Sequence, residues 1–189
     1  MKKLKKFAER LVEGIFTLSG GLTSLAILLI IIFLFKEGFG MFTHPSTEMG
    51  YVLALNADNP VKDLTSYEVK EIFDQKITNW NEVGGIDEKI VPFRFDEIFN
   101  YYSEAEMGVD FELLPPKIAE HIAANPAIIA FVPEKYFDTQ SPQMAVLNVK
   151  NISFTEFFLG REWLPTSTPT AQFGVLPLIL GTLMVSLVA

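Results

Sequence analysis

The chain has 189 residues, of which 49% are apolar, and it carries a net charge of −8 with no cysteine. The lack of cysteine excludes disulfides and thiolate metal sites, and the acidic balance excludes attraction of nucleic acid by charge. The apolar fraction is high for a soluble domain but ordinary for a chain that joins membrane spans to a folded domain.

The first predicted element is a membrane-spanning helix at residues 14–36, which follows a basic cytoplasmic N-terminus at residues 1–13. Residues 14–35 hold no charged side chain, and they form about 33 Å of helix, enough to cross a hydrocarbon core of about 30 Å. This run is longer than the apolar part of a signal peptide, which favours a retained anchor. Lys and Arg near a span stay in the cytoplasm, so residues 37–172 are predicted to be extracytoplasmic in a bacterial inner membrane.

Residues 37–156 are predicted to form an acidic α/β domain. Thr65 and Glu68 have the spacing of a capping box, and Val69, Ile72 and Phe73 share one face of the helix that it opens. A second helix is predicted to begin at a capping Asp96 and a third at Pro115–Pro116. The predicted strands are apolar runs at residues 51–56, 90–95, 127–133 and 144–149. Their order with the helices predicts a single α/β layer with a mostly parallel sheet, in which Pro92 places its strand at an edge.

The end of the chain is predicted to return to the membrane. Residues 157–172 are interpreted as an interfacial segment with a PTSTPT linker at 165–170, and residues 173–189 as the start of a second, truncated transmembrane helix. Trp163, Phe157 and Phe158 have the composition of an aromatic belt at a membrane boundary. Trp80 is expected to be a packing residue.

Two stretches resemble known families. NPVKDLTSYEVKEIFDQKITNWNEVGG (59–85) and NPAIIAFVP (125–133) resemble phosphate-binding proteins of the periplasmic type. FFLGREWLPTSTPTAQFGVLPLILGTLMVSLVA (157–189) is similar to the start of a phosphate ABC transporter permease of the PstC type. The resemblances imply an ATP-driven phosphate permease subunit with one binding-protein-like lobe inserted between its first two spans. They also imply three partners: a second permease subunit, an ATPase dimer and a soluble phosphate-binding protein.

The candidate substrate-binding residue is Arg94. In the binding-protein family the equivalent strand ends in an Arg, and Ser-Gly-Thr follows at a helix N-terminus. Arg94 matches that Arg, but Phe95, Asp96 and Glu97 stand where the Ser-Gly-Thr is expected. Two carboxylates there would repel a phosphate, so we expect that the domain has lost phosphate binding and serves in docking. An ion pair of Arg94 with Asp96 or Glu97 is the alternative to a ligand-binding role.

No enzyme activity, metal or cofactor is predicted. His44 and His121 are the only histidines, and neither has acidic or histidine neighbours at metal-ligand spacing. The acidic pairs Asp96/Glu97 and Glu104/Glu106 lack a nucleophile and are interpreted as caps or solvated faces. Two other functions remain open from sequence: a membrane-anchored phosphate-binding or sensory domain, and an assembly module.

Overall fold

The computed structural model describes residues 2–44, 46–139 and 141–188, with side chains described for residue 10 and from residue 12 onward. The chain divides into two compact units, residues 1–41 and 42–189. The first unit is one helix, α1 (Lys2–Gly40). Its predicted basic cluster, Lys2, Lys3, Lys5 and Lys6, lies outside the described side chains.

The helix α1 is long and apolar enough to cross a membrane from Val12 to Gly40, with a mean hydropathy of 2.5 and no buried part. Signal sequences meet the same criterion of length and composition, so a retained anchor stays a prediction. Within the described part of the chain no second helix reaches this length. The predicted second span begins as an apolar helix of 13 residues, Leu176–Val188. Two transmembrane helices are therefore not confirmed.

The second unit holds the α/β domain, of which residues 46–159 are here called the lobe. All remaining strands and helices belong to the second unit. Its strands are β1 (Tyr51–Asn56), β2 (Asp63–Thr65), β3 (Val91–Arg94), β4 (Ile128–Pro133), β5 (Met144–Val146), β6 (Asn148–Lys150), β7 (Trp163–Leu164) and β8 (Gln172–Phe173). Its helices are α2 (Ser66–Phe73), α3 (Glu104–Met107), α4 (Leu114–Ala123), α5 (Phe154–Leu159) and α6 (Leu176–Val188). Short 3-10 helices lie at Trp80–Val83, Phe95–Asn100, Val109–Phe111 and Glu134–Tyr136.

The main sheet has the strand order β3-β4-β1-β5. Strands β3 and β4 are parallel, since α4 carries the chain back between them, and β3 is an edge strand as Pro92 predicts. Strand β1 lies between β4 and β5 and is antiparallel to both. Three of the four strands thus run the same way, but two of the three pairings are antiparallel. The prediction of a mostly parallel sheet is therefore wrong for β1. The chain leaves β1 through α2 and next enters this sheet at β3, beyond β4, so no direct connection sets the relative direction of β1 and β4.

The strand predicted at 144–149 is wrong as a single element. It divides at Leu147, whose N–H donates to Leu53 O at 2.8 Å, while Asn148 N–H donates to Lys62 O at 3.0 Å. Strand β5 therefore pairs with β1, and β6 pairs in parallel with β2 in a separate two-stranded sheet. An apolar run of six residues does not reveal such a change of partner, because both halves are partly buried.

Each face of the main sheet carries its own core. Leu53 and Leu55 face α2 and Trp80, whereas Ala54 faces α4 and Met107. Trp80 is fully buried, and its indole N–H donates to Ala127 O at 2.9 Å. The expectation that Trp80 is a packing residue is confirmed.

Helix α2 begins with the predicted capping box. Thr65 Oγ1 accepts from Glu68 N–H at 3.2 Å, and Glu68 Oε2 accepts from Thr65 N–H at 2.8 Å. These bonds satisfy two backbone donors that a helix start would otherwise leave free. The predicted cap at Asp96 is wrong: the element there is a 3-10 helix that begins at Phe95, so Asp96 lies inside it.

Residues 160–174, here called the C-terminal segment, pack on the lobe. Thr170 is fully buried within the PTSTPT stretch, and its hydroxyl donates to Ser66 O at 2.8 Å. Gln172 Nε2 donates to the same carbonyl at 2.9 Å, and Ala171 N–H donates to Ser46 O at 2.9 Å. The last residue of the predicted linker at 165–170 thus donates one buried hydrogen bond to the start of α2.

A buried lysine joins α2 to the C-terminal segment. Lys70 is 7% exposed, and its ammonium lies 2.6 Å from Asp74 and 3.1 Å from Glu162. The hydrogen bond to Asp74, opposed by burial and supported by Glu162, raises the pKa of Lys70. The backbones of Gly160 and Gly174 meet so closely that a Cβ on Gly174 would overlap the Gly160 backbone. The ion pair of Lys70 with Glu162 therefore holds residues 160–174 against α2, and the glycine contact closes the two ends of that segment on each other.

The predicted aromatic belt forms one cluster of rings. Trp163 lies with its ring centroid 6.5 Å from Phe157 and 5.6 Å from Phe173, and Phe157 lies 5.2 Å from Phe158. Its position at a membrane boundary stays a prediction.

Candidate functional site

The candidate site lies at the carboxyl ends of β3 and β4. Because these neighbouring strands are parallel, Arg94 at the end of β3 and Pro133 at the end of β4 lie at the same edge of the sheet. Tyr51, the first residue of β1, pairs with Pro133 in the antiparallel ladder. This edge is where the ligand of an open α/β sheet is expected.

Arg94 covers the aromatic edge of the core. Its guanidinium carbon lies 4.9 Å from the ring centroid of Phe73, and the Phe73 ring lies 6.4 Å from that of Phe131. Tyr51 stacks on Phe131, with the ring centroids 4.6 Å apart. A guanidinium over a ring is attracted to its face and shields it from water. Arg94 is therefore held as a packing residue at the end of the strand.

The alternative for Arg94, an ion pair with Asp96 or Glu97, is not formed. Among the described side chains no carboxylate lies within 4.0 Å of the Arg94 guanidinium. Glu97 instead acts on the backbone, where its Oε2 accepts from Arg94 N–H at 3.3 Å. A carboxylate of the chain thus uses a backbone donor that could otherwise face a bound anion.

The turn after β3 offers little else to a phosphate. It is a 3-10 helix of six residues, Phe95–Asn100, with Asp96 and Glu97 in its first turn. Phosphate sites combine several free backbone N–H groups with Arg and hydroxyl donors. This turn has no hydroxyl, and its two carboxylates place negative charge where an anion would approach. Residues 95–100 therefore lack the hydroxyl donors of such a site and place two carboxylates at its position.

A shallow groove of ≈ 720 Å³ lies beside Phe95, the residue that follows Arg94. It is lined mainly by Gly50, Tyr51, Phe95, Pro133, Glu134 and Tyr136. Phe95 and Tyr136 stack at 5.2 Å, and the Lys135 ammonium lies 4.4 Å from the Tyr136 ring centroid. Arg94 and Lys135 therefore each contact the face of an aromatic ring. Glu134 adds a further negative charge to the groove.

His121 has an aromatic environment. Its ring centroid lies 4.8 Å from Phe93 and 4.4 Å from Tyr101, and burial lowers the pKa of its imidazole. In the part of the chain that the structure describes, no group of three His, Asp or Glu side chains could hold a metal ion.

Sequence reasoning named Arg94 as a candidate and Glu97 as an alternative ion-pair partner, but it missed the backbone bond to Glu97 and the contact with Phe73. The backbone bond could have been recognised, because a Glu three residues after a strand end has the capping-box spacing that was used at Thr65 and Glu68. Phe73 carried no such signal, since it meets Arg94 only after α2 packs on the sheet.

Comparison with known proteins places this site in a family context. Residues 33–97 match the PBP superfamily domain. The phosphate-binding protein PstS of Bacillus subtilis (strain 168) is 43% identical over 58 residues, which is 29% of this chain and 19% of that protein. These matches support the predicted resemblance at a coarser level, which is that the chain contains a phosphate-binding-protein-like domain.

Solved structures give partial matches. A putative phosphate ABC transporter substrate-binding protein with bound phosphate from Clostridium perfringens is 27% identical, with a TM-score of 0.40, over 60% of this chain and 50% of that one. An ABC-type phosphate transport receptor from Vibrio cholerae is 20% identical, with a TM-score of 0.39, over 55% of this chain and 48% of that one. The chain thus spans about half the length of these structures. The predicted permease assignment of residues 157–189 is not shown by these comparisons.

Proposed function

We propose that this chain belongs to a permease subunit of an ATP-driven phosphate importer, and that its lobe has lost phosphate binding and serves in docking. The membrane-spanning composition of α1, the binding-protein-like sequence at 33–97 and the permease-like motif at 157–189 support the first part. The proposed partners are a second permease subunit, an ATPase dimer and a soluble phosphate-binding protein. Inorganic phosphate is the proposed cargo.

The observation that carries the second part is the Glu97 carboxylate on Arg94 N–H. It supplies internally the negative group that a ligand would bring, and the Arg94 side chain is committed to Phe73. A membrane-anchored phosphate sensor would need both donors free, so this alternative is not better supported. Docking requires only that the lobe be folded and exposed.

Uptake of radiolabelled phosphate by cells tests the transport role. Deletion of the gene should abolish energy-dependent uptake at micromolar phosphate, and the full gene should restore it. The Arg94→Gln variant should restore it equally, because Arg94 packs on Phe73 and touches no cargo. Normal uptake in the deletion strain would refute the transport role. Failure of a folded Arg94→Gln protein would refute the loss of phosphate binding by the lobe.

A further inference from the structure

The lobe exposes a set of apolar side chains after the candidate site. Phe99, Val109, Phe111 and Leu113 are 52%, 78%, 36% and 47% exposed, respectively. The rings of Phe99 and Phe111 lie 6.3 Å apart, which joins the 3-10 helix Phe95–Asn100 to the 3-10 helix Val109–Phe111. We call these four residues the apolar patch. Apolar groups that lie together at a surface are typical of interaction sites, whereas single ones are not.

The backbone beneath the patch holds an unfavourable conformation. Asp110 and Phe111 have φ values of 56° and 61°. The left-handed region costs about 1–2 kcal/mol for a residue with a side chain. Its neighbours fix the turn, since Met107 and Leu114 are buried and Leu113 N–H donates to Met107 O at 3.0 Å. Strain of this kind, kept by a packed surrounding, is a feature of functional segments.

The chain segment that carries the patch is negatively charged. Residues 95–116 contain no Lys, Arg or His and contain six carboxylates, which are Asp96, Glu97, Glu104, Glu106, Asp110 and Glu112. The nearest cation on either side is engaged, Arg94 with the Phe73 ring and Lys117 with Glu120 at 3.1 Å. None of the six carboxylates has a Lys or Arg within 4.0 Å among the described side chains.

The negative charge around the patch favours one kind of binding partner over the others. An anionic lipid surface would be repelled by the carboxylates. A second copy of the chain would bring the same negative charge to a symmetric contact, which is equally unfavourable. A protein with an apolar centre and a rim of Lys and Arg would satisfy both the patch and its border.

We propose that the apolar patch is the docking surface of the lobe, and that its partner is a folded protein that presents an apolar side chain within a basic rim. This inference rests on the docking role proposed above, and it adds the surface and the chemistry of the partner. The contact combines burial of Phe99, Val109, Phe111 and Leu113 with charge pairing at the rim. Its electrostatic part makes it sensitive to salt.

The test is photo-crosslinking of the full chain in its native membrane. A photoreactive amino acid replaces Val109, and the matched control carries it at Val146, which is 55% exposed on β5. The expected result is an adduct from Val109 to one protein, mapped by mass spectrometry to an apolar residue that has Lys or Arg around it. The double reversal Asp110→Lys with Glu112→Lys should reduce that adduct about tenfold, and reversal of the partner's basic residues should restore it.

Several results would overturn the proposal. They are an adduct only to lipid or to a second copy, equal adducts from Val109 and Val146, no adduct from a folded lobe, or an adduct that ignores the charge reversal. Protease resistance of the lobe in each variant shows that it is folded. The outcome is separable from the proposed function: normal phosphate uptake without this chain refutes the transport role, whatever the crosslinking shows.

Discussion

Two surfaces of the lobe differ in whether their side chains find partners within the chain. One is the surface of α2 that the C-terminal segment covers, and the other is the apolar patch. At the first, Thr170 and Gln172 are buried on Ser66 O, and Lys70 joins two carboxylates. At the second, apolar side chains are exposed, and among the described side chains no Lys or Arg lies within 4.0 Å of the six nearby carboxylates. The first surface is completed within the chain, and the second has the composition of one that a partner completes. Substitutions should therefore destabilise the first and spare the second.

The largest effect is expected from Gly174→Val. A Cβ at Gly174 would overlap the backbone of Gly160, which cannot withdraw as a flexible side chain could. Overpacking of this kind costs about 1–3 kcal/mol, and we expect the upper end. Thermal unfolding of the full chain in detergent, followed by protease resistance of the lobe, measures it. Gly181→Val is the control, because nothing lies within 4 Å of a Cβ there; equal loss in both variants would contradict the packing described.

Removal of the Lys70 ammonium should come next. Lys70→Met leaves Asp74 and Glu162 without their shared cation, and the loss should be about 1–2 kcal/mol because both carboxylates are partly exposed. The folded pKa of Lys70 is raised, so its contribution is present below the ordinary value of 10.5 and lost as pH rises through the folded pKa. Chemical denaturation from pH 8 to pH 11 should show a decline that is weaker in Lys70→Met. An identical alkaline decline in both proteins would refute the role of Lys70.

A smaller change of opposite sign is expected at the patch. Phe111→Gly removes an exposed ring and relieves a φ of 61°, so stability should be unchanged or should rise by about 0.5–1 kcal/mol. Tyr67→Gly, at an exposed position of α2, should lower it by about 1 kcal/mol. Urea unfolding of the two variants compares them. Destabilisation by Phe111→Gly beyond that of Tyr67→Gly would show that Phe111 is part of the core and not of a docking surface.

The smallest effect is expected from substitution of His121, which packs against Phe93 and Tyr101. Burial lowers its folded pKa, so the folded state disfavours protonation, and stability should be lost as pH falls below the ordinary value of 6.5. His121→Gln should weaken the difference in melting temperature between pH 7.5 and pH 5. Lys117, one turn earlier on α4, pairs with Glu120. A Glu120→Gln control therefore separates the contribution of this ion pair to the pH dependence from that of His121. A pH dependence that His121→Gln leaves unchanged would refute this assignment.

Local signals explain how much of the fold could be predicted. The capping box at Thr65 and Glu68 and the apolar run of β1 act within a few residues, and both were found. The division of 144–149 at Leu147 and the return of Thr170 to Ser66 join residues far apart in sequence, so composition alone suggested one strand and a linker. The left-handed backbone at Phe111 contradicts its side chain's preference, and no sequence rule would place it there.

The candidate site could also be predicted only in its local features. Arg94 was named as a candidate because it ends a strand in a recognised motif, and the replacement of Ser-Gly-Thr by Phe95, Asp96 and Glu97 predicts a site unsuited to an anion. The means differ from the expectation: Glu97 binds the backbone of Arg94, and Phe73 holds its guanidinium. Contacts between α2 and the sheet decide that geometry, and they depend on tertiary packing.

Calorimetric titration of the purified full chain with inorganic phosphate tests the central claim most directly. Because Glu97 occupies the backbone donor and Arg94 lies on Phe73, we expect no heat of binding at micromolar phosphate, in the wild type and in Arg94→Gln alike. Saturable binding in the micromolar range that Arg94→Gln removes would contradict the account, since it would show that the lobe still receives the anion at this edge.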